Sequence, residues 1–301
     1  MLTALLLATA MAAPTPPADA DPATIPSPIR AMLDAAMSAG DETAVATIVK
    51  YARNADPASA DAALRLANDW RTARANARNE RLQQAGLLEL WKGRIEAGGF
   101  VSTGNSPVTG LSAAVDLTRE ALAWRHKVHG QADYQRSAGI TSREHYLASY
   151  EPNWKYDERG YLYGSAQYES DRFFGYRNRY SASVGTGYSA IRTPAMKLDV
   201  ELGPAWRATD FTDGTVERSI AARGNLDFDL KLASGVTLTQ DASAYIQPHS
   251  NSTVTGTTAL AAKLIGPLSA RLSYTVQYES MPPIGRLSTD TTSRASVVYS
   301  F

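Results

Sequence analysis

Three of the four histidines in this sequence are the first candidates for catalysis or metal binding, because an imidazole can serve as a general base or a metal ligand at neutral pH. His126 lies between Trp124 and Val128 on the apolar side of an alternating segment, with no serine beside it to act as a nucleophile. His129 and His145 lie on neighbouring polar stretches and could form a metal pair, but the spacing supplies no third ligand. We therefore predict no catalytic residue, no metal site and no cofactor.

Nucleotide-binding, phosphate-loop and zinc motifs are also absent from the sequence. The protein is therefore predicted not to be an enzyme. One enzymatic alternative stays open: a membrane-embedded lipid hydrolase that uses His126 or His129.

A larger set of ionisable side chains falls on the polar side of similar alternating segments, with positive and negative residues close to balanced. Unpaired charges in a confined space are costly, so a balanced set favours ion pairs across an interior over a pore selective for one ion sign. The interior could still hold a narrow channel or be closed. The balance holds for this larger set as a whole. The candidate lining residues selected from it are Arg94, Glu96, Arg125, Lys127, His129, Glu151, Arg177, Arg207, Glu217, Arg223, Asp241, Arg271 and Arg294.

The elements that position these residues are twelve consecutive stretches of apolar/polar alternation between Trp91 and Phe301. Period-two alternation predicts strands with one apolar and one polar face. The repeat is almost uninterrupted and its polar face is heavily charged, which is typical of an all-β transmembrane antiparallel β-barrel rather than a soluble sandwich. The predicted strands are 91–103, 107–118, 121–136, 143–156, 160–170, 176–190, 196–208, 215–230, 235–247, 253–264, 268–279 and 288–301.

Aromatic residues sort to the two ends of the predicted strands. Two aromatic girdles around an aliphatic band are what a bilayer requires, and short turns should alternate with longer outer loops. Asp171, Arg172 and Phe173 are expected in one outer loop, where the first two could pair and Phe173 could reach the headgroups. One predicted girdle contains Trp91, Trp124, Trp154, Tyr156, Tyr188, Phe228, Tyr299 and Phe301, and the other contains Tyr134, Tyr146, Tyr168, Tyr176, Tyr180, Trp206, Tyr274 and Tyr278.

The part of the chain before the strands has a different organisation. Residues 1–13 resemble a signal peptide, with an apolar stretch followed by small residues, and 14–27 form a Pro-rich linker. Residues 28–86 are predicted to be an α-helical extension in the periplasm, either a plug or interaction element or a spacer. The 301 residues include no cysteine and have a net charge of zero, so the sequence offers no disulfide framework and no attraction to nucleic acid.

Several motifs carry a resemblance to a known family. The Gly98–Ser106 segment opens the strand region with a Thr-Gly-Asn-Ser turn, Tyr168–Phe173 and Val184–Tyr188 follow, and the chain closes on Tyr299 and Phe301. This set resembles the domain of unknown function 481 family, the salt-induced outer-membrane proteins of Gram-negative bacteria, over roughly residues 90–301. The resemblance implies an outer-membrane barrel but supplies no activity. The aromatic terminus resembles the signal that the barrel-assembly machinery recognises, which implies a transient partner.

These patterns predict a cell outer-membrane protein in contact with outer-membrane lipid and lipopolysaccharide, with no nucleic-acid partner. It is expected to be a narrow, porin-like channel for small solutes or an envelope protein of osmotic or salt stress. The alternative is a closed structural or binding barrel without transport.

Overall fold

The computed structural model describes residues 25–86, 88–104, 108–137, 140–248, 250–282, 285 and 287–301. The predicted signal peptide and most of the predicted linker lie outside these residues, as do Asn105 and Ser106 of the predicted turn. The chain divides into two compact units between Arg81 and Leu82.

Between residue 25 and the first strand, the structure describes three helices: α1 (Ser27–Ala39), α2 (Glu42–Ala55) and α3 (Ala60–Gln84). Gly40 ends α1 in the left-handed conformation, and the Asp41 side chain caps α2 by accepting the N–H of Ala44 at 2.9 Å. None of the described helices combines the length and apolar character needed to cross a membrane. The hydrophobic core of this helical unit is formed by the buried residues Leu33, Ala36, Val45, Ala52, Ala63 and Ala67.

Twelve antiparallel strands form a closed barrel in which each strand pairs with its sequence neighbours and the last pairs with the first. This confirms the predicted fold, and the strand ends agree with the predicted ones to within three residues. The strands are β1 (Trp91–Thr103), β2 (Val108–Glu120), β3 (Trp124–Ser137), β4 (Ile140–Lys155), β5 (Gly160–Asp171), β6 (Tyr176–Arg192), β7 (Met196–Phe211), β8 (Val216–Ala233), β9 (Val236–Ile246), β10 (Thr253–Lys263), β11 (Leu268–Glu279) and β12 (Thr289–Ser300).

The barrel wall has an apolar outer face and a charged inner face. On the outer face, Leu111 and Ile220 are about three-quarters exposed, at 74% and 75%. On the inner face, Asp133 and Asp199 are 0% and 1% exposed. This is the inverse of a soluble protein, where long charged side chains stay in water, and it is the arrangement of a barrel that spans a membrane.

A β-bulge at the start of β6 changes two predicted orientations. The pairing register shifts between Tyr176 and Asn178, and an extra residue in a strand disrupts the alternation there. Tyr176, predicted on the outer aromatic rim, is consequently buried inside at 1% exposure. Arg177, predicted to line the interior, is exposed and donates to the Thr212 carbonyl at 3.2 Å. Arg179 is the buried arginine of this segment.

Candidate functional site: the barrel lumen

The inner face is crossed by ion pairs between strands that lie far apart around the ring. Lys127 on β3 donates to Asp227 on β8 at 3.2 Å, although the two strands are five places apart in barrel order. The same ammonium lies 3.0 Å from Glu151 and 3.7 Å from Glu201. Arg223 joins these two glutamates and lies 3.1 Å from each. These five residues form what we call the β3–β8 bridge.

Tyrosine rings cover the arginines beside this bridge. Arg125 pairs with Asp199 at 3.2 Å, and its guanidinium lies 4.6 Å from the centre of the Tyr161 ring. Arg223, which belongs to the bridge itself, lies 4.9 Å from the centre of the Tyr163 ring, also on β5. Such cation–π contacts add attraction where water is partly excluded. Gly187 makes room for the Tyr161 ring, because a Cβ there would lie 2.2 Å from it.

A second bridge lies toward the opposite end of the barrel. Arg179 on β6 donates to Glu279 on β11 at 2.9 Å, again between strands five places apart. Glu169 accepts from the Tyr176 hydroxyl at 2.7 Å and contacts His145 at 3.2 Å. Buried charges are tolerated when they are paired and hydrogen-bonded in this way. We call these five residues the β6–β11 bridge.

Two cavities lie within the part of the lumen that the structure describes. A central cavity of about 410 Å³ lies between the two bridges, and hydroxyl-bearing residues such as Thr257 and Ser273 line one side of it. A second cavity of about 450 Å³ lies at the end of the barrel that carries the 193–195 turn. Arg94 and Arg271 line both cavities. The two cavities therefore meet at this pair of arginines.

Carboxylates hold both arginines at this junction. Arg94 donates to Asp116 at 2.8 Å, and Arg271 lies 3.4 Å from Glu96. Asp116 also contacts the Nδ1 atom of His129 at 2.7 Å. The junction is therefore a cluster of ionisable side chains on one sector of the wall, from β11 to β3, in which each arginine is paired with a carboxylate.

The remaining predicted lining residues also face the interior of the barrel. Asp241, Arg207 and Arg294 line the central cavity, and Arg294 donates to Asp133 at 2.5 Å. Glu217 is half-buried at an inner position opposite the buried Thr209. The lumen thus brings together every predicted lining residue except Arg177.

The predicted outer-loop residues form an ordered corner after β5. Asp171 is buried, and its carboxylate accepts the N–H groups of Phe173 and Phe174 at 3.0 and 2.8 Å. Arg172 is exposed. These bonds to the backbone satisfy donors that the turn would otherwise leave open.

The aromatic C-terminus closes the barrel. Phe301 exchanges two backbone hydrogen bonds with Gly93, at 2.9 and 3.0 Å, and its ring lies where a Gly93 side chain would be. Tyr299 is exposed on the outer face, with its ring centre 6.2 Å from that of Phe301. The absence of a side chain at Gly93 therefore leaves the space that the Phe301 ring occupies.

The three histidines that the structure describes contact carboxylates or aromatic rings. His126 lies on the outer face between Trp124 and Tyr150, with its Nδ1 atom 2.9 Å from the Tyr150 hydroxyl. Among the residues described, no serine hydroxyl is a hydrogen-bond partner of His126, His129 or His145. Within the described residues, no three His, Cys, Asp or Glu side chains converge as they would around a metal ion.

Four inward-facing tyrosines are absent from the predicted lining, and each covers an arginine. Two of them have a signal in the sequence: they follow the inward parity of β5 and face Gly185 and Gly187 on β6, and glycine in a strand often marks a close approach. The contacts are Tyr161 with Arg125, Tyr163 with Arg223, Tyr176 with Arg179, and Tyr245 with Arg207.

Comparison with known proteins identifies the barrel region. A family model described as "Protein of unknown function, DUF481" matches residues 95–301, which agrees with the family that the motifs resemble. The uncharacterized protein YdiY of Escherichia coli strain K12 is 25% identical over 199 residues, covering 66% of this chain and 78% of YdiY.

Solved structures match at lower identity. The NanC porin has a TM-score of 0.48 at 12% identity, covering 68% of this chain and 98% of that structure. The outer membrane channel DcaP of Acinetobacter baumannii has a TM-score of 0.41 at 8% identity, covering 70% and 96%.

Proposed function

We propose, from the premise that this chain belongs to the DUF481 family, that it is a Gram-negative outer-membrane barrel whose lumen admits small polar solutes. The observation that carries the proposal is the pair of cavities, about 410 and 450 Å³, that meet at Arg94 and Arg271. A wall of hydroxyls and paired charges suits hydrophilic solutes, because its hydrogen bonds replace part of their hydration.

The outer surface of the barrel supports the membrane assignment. Aliphatic side chains cover the middle of the wall, and exposed aromatics such as Trp154 and Tyr278 lie toward opposite ends. Lipid replaces water around such a wall, since a barrel has no unpaired strand edge. Outer-membrane lipid and lipopolysaccharide are therefore the surroundings that we assign to it.

The connections between the strands support one orientation in the membrane. The two longest, 247–252 and 280–288, lie at the end opposite both Trp91 and Phe301. Outer-membrane barrels keep their longer loops outside and their short turns in the periplasm. We therefore assign the helical region 28–86 to the periplasm, and Tyr299 and Phe301 to the strand that the barrel-assembly machinery contacts transiently.

Planar-bilayer recording on the purified full chain tests the channel. We expect small, steady single-channel currents. The current should rise in Arg94→Ala, because losing the guanidinium widens the junction and the narrowest part of a path sets its electrical resistance. Arg177→Ala is the matched control, since Arg177 is exposed outside the lumen. An unchanged conductance in Arg94→Ala would place the path elsewhere.

A closed barrel without transport is the second candidate, and the two bridges favour it. Each bridge joins strands five places apart, so ion pairs span much of the lumen at two levels. Such a barrel would serve the envelope structurally, for example under osmotic or salt stress. A barrel that shows heat-dependent gel mobility but no steady current would support this candidate over the channel.

A further inference from the structure

Arg207 differs from the other buried arginines that the structure describes. Four of these have a carboxylate oxygen within 4.0 Å, and Arg119 donates to three backbone carbonyls. Arg207 is 4% exposed, and no described carboxylate lies within that distance of it. The four paired arginines are Arg125, Arg179, Arg223 and Arg271.

Neutral groups fix the Arg207 guanidinium in place. Its Nε atom donates to the Ser181 hydroxyl at 3.1 Å, and Nη1 donates to the Thr253 hydroxyl at 2.8 Å. The guanidinium carbon lies 4.0 Å from the centre of the Tyr245 ring. The Nη2 group makes no hydrogen bond to any described residue. A donor is thus held rigidly beside the central cavity, which Arg207 lines.

The nearby acids are already engaged. Glu279 lies 3.5 Å from the same Thr253 hydroxyl that Arg207 contacts, and both Glu279 and Glu169 belong to the β6–β11 bridge. Arg179 adds a second positive charge on the same side. A buried cation without a partner is costly, so water or an anion in the cavity must supply the missing interaction.

We propose that Arg207 is the binding point for small oxyanions, phosphate or carboxylate groups, in the central cavity. The guanidinium presents N–H donors that match an oxyanion, and a bond to a charged group is about twice as strong as a neutral one. The cavity of about 410 Å³ limits the ligand to a small solute. This site rests on the proposed channel function for its role in transport, but its ligand binding can be measured separately.

Phosphorus NMR of inorganic phosphate, titrated with the full chain in micelles, measures binding without transport. We expect the phosphate line to broaden as phosphate binds. Arg207→Gln should weaken the phosphate affinity about tenfold or more, the equivalent of losing one charged hydrogen bond. Arg177→Gln is the control and should bind phosphate like the natural chain. Equal binding by Arg207→Gln and the natural chain would overturn the proposal.

Two further measurements keep the outcome decisive. If Arg207→Gln lacks the heat-modifiable barrel form, Arg207→Lys replaces it, and we expect several-fold weaker binding because lysine keeps the charge but not the planar fork. Unchanged binding by Arg207→Lys would then refute the site. In bilayers, phosphate should reduce the current of the natural chain. Binding without any current would retain the site and reject the channel.

Discussion

The contact between Lys127 and Asp227 makes the sharpest prediction, because it joins strands five places apart around the barrel. A double-mutant cycle with Lys127→Met and Asp227→Asn removes each charge singly and then both. In the structure the ammonium lies 3.2 Å from Asp227, and Glu151 and Glu201 complete its surroundings at 3.0 and 3.7 Å.

The magnitude follows from the burial of the pair. Breaking a fully buried ion pair costs about 3–5 kcal/mol. The Lys127 and Asp227 side chains are 27% and 28% exposed, so solvent screening lowers this value. We expect Lys127→Met to lower the free energy of unfolding by about 1–3 kcal/mol, since three carboxylates lose one cation. The double variant should lose less than the sum of the single variants, with a coupling of about 1 kcal/mol.

Urea unfolding in micelles, followed by tryptophan fluorescence, measures each variant. Asp229→Asn is the matched control, because Asp229 lies two positions further along β8 and makes no ion pair with Lys127. Its cycle with Lys127→Met should be additive. Additivity within about 0.5 kcal/mol for Lys127 and Asp227 as well would refute the bridge across the lumen.

Two further predictions concern the barrel wall and its turns. Gly187→Ala should lower the free energy of unfolding by about 1–3 kcal/mol through overpacking against Tyr161, whereas Gly224→Ala, with no atom near its Cβ position, should cost less in the same urea assay. In the turn after β4, the Asp157 carboxylate accepts the backbone N–H groups of Gly160 and Arg159. These hydrogen bonds, that of Gly160 above all, hold the pKa of Asp157 below its ordinary value. A lowered pKa means that the stabilisation is complete above pH about 4 and is lost as the pH falls through the folded-state pKa. The Gly160 amide shift should therefore titrate with a midpoint below that of an unperturbed aspartate, and a midpoint at or above the unperturbed value would contradict this.

Strand positions and faces were predictable from the sequence, because period-two alternation determines which side each residue occupies. Lys127 and Arg223 could be assigned to the interior in this way, but not to each other, since parity says nothing about distances across a barrel. Tyr176 shows a second limit. The bulge beside it depends on pairing with β7, so the local pattern predicted the wrong face. The oxyanion site could not be predicted, because Arg207 differs from other interior arginines only in what surrounds it.

Cysteine substitution tests the central claim most directly, because the chain contains no natural cysteine. Thr257 lines the central cavity, whereas Leu260 on the same strand is exposed on the outer face. We predict that a charged thiol reagent reduces the bilayer current through Thr257→Cys and leaves the current through Leu260→Cys unchanged. A Thr257→Cys barrel that reacts fully and keeps its current would contradict passage of solutes through this cavity.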